Sequence, residues 1–278
     1  MKIIKFDPIL MRDADRILET ASFSAKEEIL SLLELFSKNA FLAYSLGTPV
    51  GIICSDVYDG KKRANFSVYV CPKYRRRGIG TALVSAVVEQ AKKTSINSLI
   101  CDFPNDRELI SFVSSIGFQK RYSSHFMTYF IESASYVSGF ENYDNSMFLQ
   151  FVNAEADAFY PLRNRIGIEP ERIQATENVR SFLVKAADKY FVYRQNGEII
   201  AGGGVYNGEI TDIFVSEKAR GCGLGRKIVQ KCIYEAYRSG ERMVSLWVIT
   251  ENTPAVNLYR SLGFQTEKTH DFYIKQIQ

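Results

Sequence analysis

An ordered internal repeat constrains this chain more than any other feature of its sequence. Residues 41–51 (FLAYSLGTPVG) and 191–202 (FVYRQNGEIIAG) each read as an apolar run, a Gly-bearing turn and a second apolar run, the pattern of a β-hairpin. Alternating segments follow, Asn65–Val70 (NFSVYV) and Glu209–Val215 (EITDIFV). They read as strands and run into basic glycine loops, KYRRRGIG ending at Gly80 and KARGCGLG ending at Gly225. After each loop the apolar period becomes helical, through Leu83, Val84, Val87, Val88 and Ala91 in one copy and Ile228, Val229, Cys232, Ile233 and Ala236 in the other. A further strand comes next (Ser98–Phe103, Met243–Ile249). A short helix then ends in Ser-Ile-Gly117-Phe118 or Ser-Leu-Gly263-Phe264, with glycine as the left-handed cap. Gly78 lies 145 residues before Gly223 and Gly117 lies 146 before Gly263, so the register holds to one residue across the half.

Two domains of one α/β (α+β) design are therefore expected, each a mixed central β-sheet flanked by helices. The segment Glu132–Ser146, rich in small and polar residues, places the boundary near Tyr136 and gives domains 1–135 and 136–278. Phe148–Lys185 reads as helical, interrupted at Pro161 and again at Ile168-Glu169-Pro170. With 278 residues and 46% hydrophobic side chains, each half can bury a core.

A net charge of +4 suits anionic small molecules and falls short of a nucleic-acid binder's basic footprint. Five scattered cysteines without a Cys-x-x-Cys pair suggest neither a disulfide framework nor a zinc site, and point to a reducing compartment. The N-terminal apolar run is too short for a leader, and no stretch approaches the roughly 20 apolar residues of a membrane span. A cytoplasmic protein, monomer or homodimer, without metal, nucleic acid or membrane partner is expected.

A strand that enters a glycine-bearing turn and then a helix gathers free backbone N–H groups and the positive end of the helix dipole around one point, which suits an anion. Side chains at Gly78, Gly80, Gly223 or Gly225 would hold phosphate oxygens off the amides or forbid the turn, and Arg75, Arg76, Arg77, Arg220 and Arg226 would add charge at the rim. Neither a Walker loop nor a Gly-x-Gly-x-x-Gly dinucleotide turn fits this spacing. Arg75-x-x-Gly78-x-Gly80 and Arg220-x-x-Gly223-x-Gly225 resemble the pyrophosphate loop of the GNAT acyl-CoA N-acyltransferases. So does the order of elements around them, over about residues 1–131 and 148–277. In the second copy, Asn252-Thr253-Pro254-Ala255-Val256-Asn257-Leu258-Tyr259 is similar to that family's Asn-x-x-Ala-x-x-Leu-Tyr before Gly-Phe.

The resemblance implies acetyl-CoA as co-substrate. Its diphosphate would lie on the backbone of Arg220, Gly221, Cys222, Gly223, Leu224, Gly225 and Arg226, its pantetheine arm along Phe214 and Val215, with Asn252 nearby; Arg75, Gly78, Gly80 and Thr81 are the matching positions of the first copy. It also implies direct attack by a primary amine of a small molecule or peptide on the thioester, with Tyr259 as the acid that protonates the departing thiolate. For the base, Glu209 stands eleven residues before Arg220, as in histone-type members, and Asp212 is the nearby alternative; on a regular strand the two face opposite sides, which a bulge would change. At matching offsets the first copy carries Ala64, Asp106 and Val113 in place of Glu209, Asn252 and Tyr259, so chemistry is expected in the second copy alone. Asp157, Tyr160, Glu169 and Tyr206 are candidates for the acceptor pocket, His125 and His270 read as surface or edge-strand residues, and Trp247 reads as core. The competing reading is a non-catalytic acyl-CoA sensor.

Overall fold

Hairpin turns, glycine caps and amphipathic runs appear where the sequence marks them. The computed structural model describes residues 1–57, 62–168 and 170–277, and its contacts separate into two units, Met1–Lys120 with Phe272–Gln278, and Arg121–Asp271.

The first unit runs β1 (Lys2–Lys5), α1 (Met11–Leu18), α2 (Phe23–Phe36), β2 (Ala40–Ser45), β3 (Thr48–Ser55), β4 (Arg63–Val70), α3 (Ile79–Ala91), β5 (Ser98–Pro104) and α4 (Arg107–Ser115). Strands β1 to β4 pair antiparallel in sequence order and β4 pairs parallel with β5. Leu46-Gly47 closes the β2–β3 hairpin with both residues at positive φ, which matches the right-handed twist of the strands. Ile17, Leu18, Ile29 and Leu33 pack with Leu42 and Ile52 on one face of the sheet; Leu83, Val84 and Val87 pack with Ile53, Phe66 and Leu99 on the other.

The second unit runs β6 (Gln119–Phe130), β7 (Glu141–Asn142), α5 (Phe148–Ile166), α6 (Glu177–Lys185), β8 (Tyr190–Gln195), β9 (Glu198–Tyr206), β10 (Glu209–Val215), α7 (Leu224–Arg238), β11 (Met243–Ile249), α8 (Thr253–Ser261) and β12 (Gln265–Gln276). Here β8, β9 and β10 form an antiparallel meander turned by Asn196-Gly197 and Asn207-Gly208, again at positive φ, and β10 meets β11 in parallel. Phe151, Val152 and Leu183 pack with Tyr190, Val192 and Phe214 on one face; Ile228, Val229 and Cys232 pack with Ile210, Leu246 and Val248 on the other.

Two expectations change. The units do not follow the 1–135/136–278 division: β6, which closes the first repeat in sequence, pairs antiparallel with β11 from Met243↔Phe130 to Ile249↔Ser124, and the end of β12 belongs with the first unit, where Tyr273 stacks on Phe103 at 5.1 Å. Local patterning marks a strand but not its partner. Nor does Pro161 break its helix; α5 runs through it to a left-handed cap at Gly167. All the buried residues of α5 but Ile166 (Phe148, Phe151, Val152, Glu155, Ala156) lie before it, and Pro161 itself is exposed, so the carbonyl it leaves unbonded is on the water side. No described helix is long and apolar enough to cross a membrane.

Candidate active site

In the second unit the chain leaves β10 through a short 3₁₀ turn, Glu217–Ala219, in which the Arg220 amide donates to Glu217 O at 3.2 Å. Gly221 (φ 79°) and Gly223 (φ 78°) then reverse the chain into α7. The first helical bond is Lys227 N–H to Gly223 O at 3.1 Å, so the amides of Leu224, Gly225 and Arg226 precede the ladder at the positive end of the dipole. The first unit repeats this arrangement at α3: Gly78 has φ 75° and Ala82 N–H reaches Gly78 O at 3.0 Å, but Arg76 adopts φ 60° where the second unit has Gly221. Thr81 is exposed on the first turn of α3, and Cys222 is exposed with its Sγ 3.8 Å from Arg220 O.

The glycines divide into two jobs. Gly78 and Gly223 have open space around them and supply dihedrals that side chains resist. Gly80 and Gly225 lie inside their helices, where an added Cβ would come within 3.0 Å of the Phe112 ring or 3.2 Å of Leu258 Cδ2; they let the following helix approach. The arginines of the motif also serve differently from the rim charges expected. Arg75 Nε donates to Val70 O at 3.1 Å and Arg220 Nε to Val215 O at 3.3 Å, each tying the loop to the last carbonyl of its strand, while Arg220 Nη2 also reaches Ala158 O and Arg226 Nη2 donates to Ser261 Oγ at 2.6 Å. With both its amide and its guanidinium engaged, Arg220 holds the loop's shape.

Beside each loop the two parallel strands part. β4 and β5 keep register through Arg63↔Ser98, Ala64↔Leu99 and Asn65↔Ile100, whereas β10 and β11 meet only at Glu209↔Ser245. Beyond that pair β10 is registered on one side alone, against β9, which leaves its other edge able to pair with an extended chain. Phe214, on this stretch, is buried against Phe151 (5.3 Å between rings) and lies over Gly202, where a Cβ would come within 2.7 Å of the Phe214 ring; Val215 is half-buried.

A register shift between Thr211 and Phe214 marks a bulge in β10, with Asp212 at φ 55°. Ile210 and Ile213, three apart, both face α7, while Asp212 and Phe214 face α5. Alternation puts Glu209 on the same face as Asp212, so the bulge does bring both candidate bases to one side. Glu209 itself is exposed at the start of the strand. Asp212 is half-buried, and its Oδ2 accepts from the Tyr190 hydroxyl at 2.6 Å. Next to it stands a residue the sequence reading passed over: Glu155 of α5, 7% exposed, whose carboxyl is pushed up to about 8 by burial and then by the Asp212 charge, with Arg163 pulling the other way. Its signal was legible, since Phe148, Phe151, Val152, Glu155 and Ala156 follow the helical spacing of a buried stripe and one member is a carboxylic acid.

Tyr259 is buried at 7% exposure, 5.7 Å from the Phe264 ring, and its hydroxyl has no hydrogen bond among the described residues. Burial raises the phenol above the ordinary tyrosine range, with Cys232 adding to it, so it stays protonated near neutral pH. The matching Val113 and Ala64 of the first unit are plain core residues, 3% and 0% exposed. Asn252 and Asp106 begin α8 and α4, yet only Asp106 caps its helix, accepting from Glu108 N and Leu109 N at 2.8 and 3.0 Å; the Asn252 side chain makes no such bond.

The other candidates scatter. Asp157 pairs with Arg172 at 2.5 Å, Tyr160 and Tyr206 are exposed, and Glu169 lies outside the described residues. Trp247 is 40% exposed rather than core: paired with His125's neighbour Phe126 across β6 and β11 (5.1 Å) and with His270 (5.1 Å), it sits on the sheet face opposite the α7 core. His125 is not an edge residue either, because β6 is bonded to β11 on one side and its Nδ1 lies 2.8 Å from Thr269 Oγ1 of β12 on the other. Among the described residues no cluster of His, Cys, Asp and Glu is placed to hold a metal ion.

A profile of the acetyltransferase (GNAT) family matches the chain twice, at residues 8–118 and 149–264. The chain is 25% identical over 236 residues to a mycothiol acetyltransferase of Saccharomonospora viridis, covering 76% of this chain and 73% of that protein. It is 36% identical over 70 residues to an uncharacterized N-acetyltransferase of Methanocaldococcus jannaschii, a match spanning 25% of this chain and 31% of that one. Among solved structures, a GCN5-related N-acetyltransferase from Sphaerobacter thermophilus shares the fold over all of this chain and 96% of its own, with a TM-score of 0.72 at 16% identity. Two family matches, two glycine loops and two parted strand pairs lead to one conclusion: the chain belongs to the acetyltransferase (GNAT) family and carries its domain twice.

Proposed function

We propose that the second unit transfers an acetyl group from acetyl-CoA to a primary amine by direct attack, and that the first has lost this chemistry. The observation that carries the reading is the contrast at matched positions: both units keep the anion-suited helix start, but only the second has a buried phenol at Tyr259, an uncommitted amide side chain at Asn252 and carboxylates on a bulged strand. The amides of Leu224, Gly225 and Arg226 and the free edge at Phe214–Val215 fit a diphosphate and an extended pantetheine arm, which would present the thioester carbon to the amine. Tyr259 donates its proton toward the departing sulfur. A β10 carboxylate, Glu209 or Asp212, takes the proton from the amine. The relatives' names, a mycothiol acetyltransferase and an N-acetyltransferase, favour an acceptor acetylated on nitrogen, and the Trp247–Phe126–His270 surface is its candidate wall.

Purified protein given acetyl-CoA and a panel of amines should release free thiol, and Tyr259→Phe should lower kcat roughly 10²-fold. If Gly78 or Arg76 substitutions abolished turnover while Gly223 and Tyr259 changes did not, the first unit would be the enzyme. Saturable CoA binding with no thiol release across the panel would favour an acyl-CoA sensor.

A further inference from the structure

Glu155 poses a problem that its fold does not resolve. A glutamate that is 7% exposed normally has a hydrogen-bonding or ionic partner in the protein, yet Glu155 makes no hydrogen bond or ion pair among the described residues, and its oxygens are not among the fully buried unpartnered atoms, so its carboxyl still reaches water. Asp212 on β10, Tyr190 on β8 and Arg163, just over two turns along α5, interact with it electrostatically, and Cys232 of α7 acts on Tyr190. Arg163 is turned to Pro170 O, to which its Nε and Nη2 donate at 2.9 and 2.7 Å. Tyr190 donates to Asp212, whose Oδ1 accepts nothing. Two carboxyls close enough for the Asp212 charge to raise Glu155 thus stand with acceptor capacity to spare where α5 packs on the bulged strand whose edge is free. Nothing about packing requires this; apolar residues fill every neighbouring position of the α5 stripe.

We propose that Glu155 and Asp212 form the seat of the acceptor's ammonium group, Asp212 receiving its proton and Glu155 providing the second contact that selects a cationic amine. This rests on the second unit being the acetyl-transferring one. The step balances within the site. The ammonium gives one proton to Asp212 and becomes a neutral amine; its lone pair forms the C–N bond to the acetyl carbon as the C–S bond breaks, the sulfur takes the proton of Tyr259, and the acylated nitrogen gives its second proton back to the Tyr259 phenolate, leaving a neutral amide, a free thiol and a protonated Asp212. The two residues divide the kinetic work. Asp212→Asn should lower kcat roughly 10²-fold, while Glu155→Gln should raise KM for the amine roughly 10-fold with the KM for acetyl-CoA unmoved, and should remove a limb near pH 8 from the profile of kcat/KM.

A second readout needs no turnover. In protein carrying ¹³C-labelled carboxyls, one signal should titrate near pH 8, vanish in Glu155→Gln, and move to lower pH when n-butylammonium chloride replaces tetramethylammonium chloride at equal ionic strength, because a bound cation favours the ionised carboxyl. A titration that n-butylammonium leaves in place, or an Asp212→Asn protein as fast as the parent, overturns the proposal. Absence of thiol release from the parent with every amine would instead sink the assignment of acetyl transfer to the second unit, and the titration would still decide whether the pair binds ammonium.

Discussion

Replacing Glu155 with glutamine should stabilise the protein, increasingly so as pH rises. In the folded chain the Glu155 carboxyl titrates at about 8 against an ordinary 4.5, so the folded state holds this proton more tightly than the unfolded one. Stability owed to the protonated carboxyl is therefore complete below the unfolded value of 4.5 and is lost as pH rises through about 8. Within that window the loss approaches about 1.4 kcal/mol per pH unit, and the whole shift corresponds to an upper figure of about 5 kcal/mol. Glutamine keeps the shape and the neutral charge of the protonated acid and cannot ionise, so its variant escapes the loss. Urea unfolding followed by the fluorescence of Trp247, the chain's single tryptophan and a member of the second unit, reports on the right unit. Parent and variant midpoints should coincide near pH 5 and separate by several kcal/mol at about pH 8, with the variant the more stable. Groups common to both proteins cancel in the difference. Parallel curves from about pH 5 to about pH 9, or a variant weaker than the parent at the alkaline end, would show that Glu155 is not a buried acid held neutral by its surroundings.

Other outcomes follow from the same geometry. Asp106→Ala should destabilise the first unit by about 1 kcal/mol in differential unfolding, since it removes a working helix cap, whereas Asn252→Ala should change stability by less than about 0.5 kcal/mol and instead weaken CoA binding measured by calorimetry. Gly223→Ala places a side chain at φ 78° and should cost about 1–2 kcal/mol while weakening CoA binding; retention of full CoA affinity would contradict the role given to that loop. Gly202→Ala should be worse tolerated than Gly225→Ala in thermal unfolding, because the added methyl meets the Phe214 ring at 2.7 Å in one case and the flexible Leu258 Cδ2 at 3.2 Å in the other.

The sequence by itself determined the local elements, because those depend on neighbours close along the chain. The turns at Leu46-Gly47 and Asn196-Gly197, the caps at Gly117 and Gly263, and the loops ending in Gly80 and Gly225 are each written in a few adjacent residues, and the recurrence of the loops and caps 145–146 residues later, with the turns in the same order, revealed the repeat. Tyr259 and Val113, or Asn252 and Asp106, could be compared from spacing alone. Tertiary structure decided what depends on distant partners. Only folding shows that β6 pairs with β11 while the end of β12 joins the first unit, since a period-two pattern exposes a strand's face and not its neighbour. Only folding turns Arg75 and Arg220 back onto strand carbonyls, and only the bulge after Thr211 sets Asp212 on the face where α5 brings Glu155 from 57 residues earlier in the chain. The charge of that carboxyl is fixed by the water it loses and by the Asp212 beside it, and both are properties of the packed molecule.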